Sequence, residues 1–363
     1  SSLRLVGSEM CIRDRGWLEA GTWTVEMKRP LKPGKPGDLD LESGKVYNFG
    51  FAIHDDYSDA RFHHVSLGYS LALDNAEAEI NAVKAEVSAV AASAAPVAAG
   101  AAAAAGGGAA VDGGVDWSKT SERLITLLYP GQTSMEWTLV GKYHGGARPF
   151  KAGDRCTTCH DKETEDMGRK MVTGEKAETT PIPGKRPGIP VTVQATHDAE
   201  HLYLKFQWED AEHVPVPFVE GGKMDPDNQV KLAVMFATDE IKYAAQAGCW
   251  GTCHEDLRSM PGHPEDPAAA GLALDVSEGV TKYIAASRTK IEEKGRRGKK
   301  LGGWDKLKDA AAIETELANG QFMDLLRVNS GDGSTEDGFV LAERMMKGGQ
   351  GFDASISNDA GYW

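Results

Sequence analysis

The 363-residue chain is long enough for two domains, and its 41% apolar side chains can build extended cores. Fifty-four acidic against 40 basic residues leave a formal charge of −14, which repels phosphate backbones and anionic membrane surfaces, so nucleic acid is not an expected partner. The same surface could steer the protein towards a basic patch on another protein.

Residues 1–15 (SSLRLVGSEMCIRDR) resemble neither a signal peptide nor a domain start. Residues 9–15 match the translation of a transposon-end sequencing adapter, so we expect the first 15 residues to be foreign and set Cys11 aside. A signal peptide is then expected to be missing from this stretch of sequence.

From residue 16 to residue 74 the pattern is β-rich. Trp23, Val25 and Met27 alternate with polar neighbours in GTWTVEMKR, and two further runs, VYNFGFAIHD and HHVSLGYSLAL, follow Gly- and Pro-containing breaks. Three strands do not make a domain, so this piece is expected to pack on something else, as the C-terminal fragment of a domain. Residues 75–115 are Ala/Gly-rich and read as a flexible linker. Residues 87–111 carry no charge, but Ala and Gly insert weakly into lipid and no membrane span is expected there.

Residues 116–363 form the larger unit. RLITLLYPG, SMEWTLVG and VKLAVMFATD read as strands, and residues 191–210 (VTVQATHDAEHLYLKFQWED) read as a hairpin turning near residues 197–201. Helices are expected at residues 164–172, 278–294 and 310–317. The expected fold class is mainly β, an antiparallel β-sandwich with helical and loop insertions. Residues 360–363 (AGYW) resemble residues 20–23 (AGTW). If this marks a repeat, the larger unit is truncated at its C-terminus, and residues 24–73 would close its open sheet edge across the linker.

Cys156-Thr157-Thr158-Cys159-His160 is the arrangement in which two thiols add to the haem vinyl groups while the next residue ligates the iron. Two cysteines three positions apart share one helical face, so both sulfurs reach one porphyrin edge. Cys249-Trp250-Gly251-Thr252-Cys253-His254 repeats the arrangement with one extra residue. With Cys11 set aside, all four remaining cysteines lie in two Cys-pair-His units. Zinc is the main rival, since it also takes paired Cys and His ligands. A redox dithiol fits less well, because no βαβ pattern surrounds Cys156.

His160 and His254 would be the proximal ligands. The sixth position takes a His or Met, or stays open to a substrate. The candidates are His144, Met167 and Met171 for the first haem, and Met260 and His263 for the second. His54, His63 and His64 read first as hydrogen-bonded or solvated side chains, with haem ligation the alternative, and strand alternation lets only one of His63 and His64 face inward. The basic run at residues 296–300 reads as a solvated loop. No phosphate-binding loop, nucleophile elbow or HExxH helix is present.

These motifs, together with DWSKTSERLITLLYPGQTSMEW, VQATHDAEHLYLKFQW, AVMFATD and AIHDDYSDARFHHVS, make the chain resemble a haem-binding domain family. That family, the cytochrome c-552/dimethyl sulfoxide reductase-like haem-binding domains, includes the γ subunits of ethylbenzene dehydrogenase and related molybdenum enzymes. The nearest likeness is to its multihaem c-type members. The resemblance implies a periplasmic β-sandwich that passes electrons between a respiratory redox enzyme and a quinone or cytochrome pool. Its γ subunits hold a non-covalent haem b through Met and Lys. Met235 corresponds to that Met, no Lys can be placed, and two covalent haems c would replace the haem b or add to it. The competing functional expectation is a multihaem reductase or peroxidase with an open coordination site.

Overall fold

The structure is a computed structural model. It describes residues 13–59, 62–85, 114–131, 133, 138, 141, 144–176, 178, 181–214, 224–241, 243–253, 310–331, 333, 335–341 and 355–357. The protein is mainly β. The strands of the N-terminal part are β1 (Arg13–Glu19), β2 (Thr22–Pro30), β3 (Val46–His54), β4 (His64–Val65), β5 (Tyr69–Leu73) and β6 (Ile80–Lys84). A 3-10 turn at Trp117–Lys119 leads into β7 (Glu122–Leu128), and β8 (Gly188–His197), β9 (His201–Glu209) and β10 (Lys231–Ala237) follow. The last strands are β11 (Phe322–Asn329), β12 (Thr335–Leu341) and β13 (Ser355–Ser357). Five helices are described: α1 (Ala147–Ala152), α2 (Cys156–His160), α3 (Thr164–Val172), α4 (Ala244–Cys253) and α5 (Ala310–Ala318).

The strands form one hydrogen-bonded sheet in the order β1-β2-β9-β8-β6-β5-β3-β10-β11-β12-β13, and the short β4 and β7 bridge β3 to β8. β3, β4, β7, β8, β6 and β5 therefore close into a six-stranded barrel, with the remaining strands extending from β8 and β3. We expected two separate sheets face to face. The difference arises because β4 pairs with both β3 and β7, through Ala52–Val65, Ile53–His64 and Val65–Leu128, and so joins what would otherwise be two free edges.

A main core fills the interior, beside a small second cluster around Phe62 and Tyr129. Trp23, Val25 and Met27 of β2 are buried in one cluster with Phe51, Phe206, Trp208, Val234 and Phe236, and the intervening Thr24 and Glu26 are buried too, in a strand flanked by β1 and β9. The β8–β9 hairpin turns where expected. Asp198 Oδ1 accepts from the backbone N–H groups of Glu200 and His201, each at 2.7 Å, an Asx turn that aligns the two strands.

The N-terminal strands are built into the same sheet as the later ones: β2 pairs with β9, β6 with β8 and β3 with β10. Residues 80–84 were expected to lie in the linker. They instead form β6, whose Ile80 and Ala82 are buried between β5 and β8, and this pairing overrides the helix-favouring composition. The expected helix at residues 164–172 matches α3 in both bounds, and α5 runs one residue beyond the expected 310–317. Residues 1–12, 86–113, 278–294 and 296–300, and most of the expected strand at 134–141, lie outside the described residues, as does AGYW.

Candidate functional site

The first Cys-pair-His unit sits on α2, reached from β7 through α1. Phe150 anchors α1 in the core, 3% exposed and 5.2 Å from the Tyr243 ring. Gly153 ends α1 in a left-handed conformation, Arg155 is extended (φ −75°, ψ 150°), and a new helix starts at Cys156. Residues of the N-terminal half hold this segment down: Arg155 pairs with Glu79 at 3.3 Å, and the Tyr69 hydroxyl donates to Asp161 Oδ1 at 3.3 Å.

Cys156 and Cys159 are both free thiols, one packed against the core and one exposed. Burial, with a smaller effect from the Cys159 thiol, pushes the Cys156 thiol up to about 12. The attacking thiol of a redox dithiol needs a lowered pKa, so Cys156 does not suit that role.

His160 closes the helix, and its Nδ1 lies 3.1 Å from Glu163 Oε2. Across from it stands His144, just before α1, with Nδ1 2.9 Å from the Thr138 carbonyl oxygen. The two imidazole centroids are 6.1 Å apart with 36° between the ring planes. Each ring can thus spend its Nδ1 proton on an oxygen acceptor and keep Nε2 as a lone-pair donor, the usual arrangement of a metal-ligating histidine. A zinc site would gather the cysteines and histidines around one point. Among the described residues, the only group of three or more His, Cys, Asp or Glu close enough to hold an ion is Asp38, Asp324 and Asp337, which includes no residue of α2.

The second unit begins in α4. Its backbone breaks at Gly248 (φ 62°, ψ −153°), and Cys249 follows the break, much as Cys156 follows the extended Arg155. An added Cβ on Gly68 would sit 2.7 Å from Gly248 N, so the segment before β5 meets α4 backbone to backbone. α4 also packs on β3 and touches α2, which sets the two motif-bearing helices side by side. His254, Met260 and His263 lie outside the described residues.

The other candidates are placed as follows. Met167 is half-buried at the edge of the main core. Met171 lies in a small separate cluster with Phe62, Tyr129, Val172 and Ile182, and its sulfur lies 3.7 Å from the Thr133 hydroxyl, which donates to the Pro130 carbonyl at 2.7 Å. Met235 is wholly buried in β10, in register with Gly50 and Leu325. The His54 and His63 rings lie 4.9 Å apart, tilted by 49°.

His64 is the inward member of its pair. It is fully buried, with Nε2 2.9 Å from the Arg186 carbonyl oxygen and Nδ1 3.3 Å from Asp55 Oδ1. The buried Lys185 lies 3.1 Å from the same Asp55 oxygen and 3.4 Å from Asp56, and Arg186 Nε donates to Asp55 at 2.9 Å. Burial alone would raise the Asp55 pKa, but His64, Lys185 and Arg186 together hold it well below the usual carboxylate range. Sequence reading missed this network. The adjacent acids in AIHDDY were its only trace.

The ethylbenzene dehydrogenase family profile matches residues 6–66 and 115–362, and the chain belongs to that family. It is similar to cytochrome c-552 of Stutzerimonas stutzeri, 38% identical over 251 residues that cover 68% of this chain and 70% of that protein. It is also similar to cytochrome c-551 of Rhodocyclus tenuis, 36% identical over 148 residues, which cover 40% of this chain and 58% of that protein. No solved structure matches the chain.

Proposed function

We propose that the protein is a c-type cytochrome that carries electrons outside the cytoplasm, between a respiratory redox enzyme and a quinone or cytochrome pool. The observation that carries this reading is α2. Two free thiols stand one helical turn apart, followed at once by a histidine whose Nδ1 is held by Glu163.

Cys156 and Cys159 would fix one haem covalently, and His160 would hold its iron from below. Cys249, Cys253 and His254 would do the same for a second. Bound haem supplies a one-electron ferric/ferrous couple, and the chain sets its potential through the axial ligands, their hydrogen bonds and burial. Contact between α2 and α4 would keep two such groups close enough to exchange electrons. The similarity to two cytochromes c supports the covalent chemistry. Haem c attachment takes place outside the cytoplasm, which favours a periplasmic location. Among the described residues no helix is long and apolar enough to cross a membrane.

The test is a haem stain on a denaturing gel with a pyridine haemochrome spectrum, on protein made with a c-type maturation system and on its Cys156→Ala and Cys253→Ala variants. Two covalent haems, one lost with each substitution, would support the reading. Colourless protein would overturn it.

A further inference from the structure

We propose that His144 is the second axial ligand of the haem held by Cys156, Cys159 and His160, which makes that haem a closed, bis-histidine, low-spin centre. The inference rests on the haem reading above and deepens it by excluding substrate from the first iron. Its basis is the relation of two rings from separate segments. Metal–nitrogen bonds of about 2 Å, plus about 1 Å from nitrogen to ring centre, put two trans imidazoles roughly 6 Å apart. His144 and His160 stand at 6.1 Å.

Both rings have the same second contact. The Thr138 carbonyl holds Nδ1 of His144, and the Glu163 carboxylate holds Nδ1 of His160, so each Nε2 is left as the donor atom. The alternatives on α3 are occupied otherwise. Met171 places its sulfur against Thr133 in the small apolar cluster, and Met167 packs at the edge of the main core. Both motif helix and facing loop are anchored from outside the site, by Arg155–Glu79 on one side and by Phe150 in the core on the other. The spacing of the rings is therefore set by the fold. The ring planes stand 36° apart, nearer parallel than perpendicular, which corresponds to a rhombic low-spin ferric signal.

The experiment uses the full chain matured with haem, in a Cys253→Ala background that leaves the first site alone. Wild-type His144, His144→Ala and His144→Met are compared for haem stain, ferric spin state by electron paramagnetic resonance, and carbon monoxide binding to the ferrous form. The expected result is equal haem content in all three. The parent is low-spin and does not bind carbon monoxide. His144→Ala becomes high-spin and binds it, and added imidazole restores the low-spin spectrum. His144→Met stays six-coordinate with a raised potential. An unchanged spectrum in His144→Ala at full haem content would overturn the proposal and leave the haem reading standing. Absence of haem from the parent would overturn both.

Discussion

Gly68 and Gly248 meet backbone to backbone. A Cβ on Gly248 would lie 2.6 Å from Gly68 Cα, and one on Gly68 would lie 2.7 Å from Gly248 N. Gly248 also adopts φ 62°, ψ −153°, a region that only glycine occupies readily. Gly248→Ala should therefore cost at least about 2 kcal/mol in unfolding free energy. Because Cys249 starts immediately after this contact, the second covalent haem should be lost or reduced with it, measured by denaturant unfolding and haem stain on the same preparation.

The first site has a comparable contact. An added Cβ on Gly168 would overlap the Pro187 carbonyl oxygen and lie 3.2 Å from Tyr129 N, where α3 lies against β7 and β8. Gly168→Ala should push α3 off the barrel and lower the melting temperature, while Lys170→Ala on the exposed face of the same helix should leave it unchanged.

Asp55 gives the protein an acid limit. Its folded pKa lies well below 3.8, so the folded state binds this proton less readily than the unfolded chain does. The stability it contributes is complete above the unfolded value and is lost as pH falls through and below about 3.8 towards the folded value. Asp55→Asn should flatten the acid limb of a plot of unfolding free energy against pH. Lys185→Met should destabilise the protein at neutral pH, because it leaves Asp55 and Asp56 buried without their lysine.

Asp38 works in the opposite sense. Burial, followed by the neighbouring Asp324 and Asp337, pushes its carboxyl up to about 7 against the lowering effects of Arg29 and Lys35. Burial likewise raises Asp324, which pairs closely with Arg29 and accepts from the Leu39 N–H at 2.9 Å. A raised carboxyl pKa means that the folded state binds the proton more tightly, so stability declines as pH rises from about 4 towards 7. Asp38→Asn should reduce that decline, with Asp324 left to contribute the rest, and raise the melting temperature at pH 8 more than at pH 5.

The strands whose apolar residues alternate, β2, β8 and β9, were legible in the sequence, and so was α3 between Thr164 and Val172. CTTCH was legible as chemistry because its spacing has few other uses. What the sequence concealed depends on partners distant along the chain. Residues 80–84 have a helix former's composition and become a strand only because β5 and β8 flank them. HHVSLGYSLAL reads as one run but divides into β4 and β5 around Gly68, where α4 approaches. The charged core around Asp55 and Lys185 joins residues 130 positions apart, which no local pattern can signal.

The interleaving of early and late strands also sets the order in which the protein can be made. β6 finds β8 more than a hundred residues later, and β3 finds β10 later still, so these two ladders join segments far apart in sequence, whereas β3–β5 and β5–β6 are local. Loop closure of that length delays closure of the barrel until β8 is present. Tyr69 and Glu79, which hold the Cys156 segment, belong to the half that is synthesised first. The cysteines thus emerge to a waiting but unclosed platform, and the interval before closure is when their thiols are most open to modification.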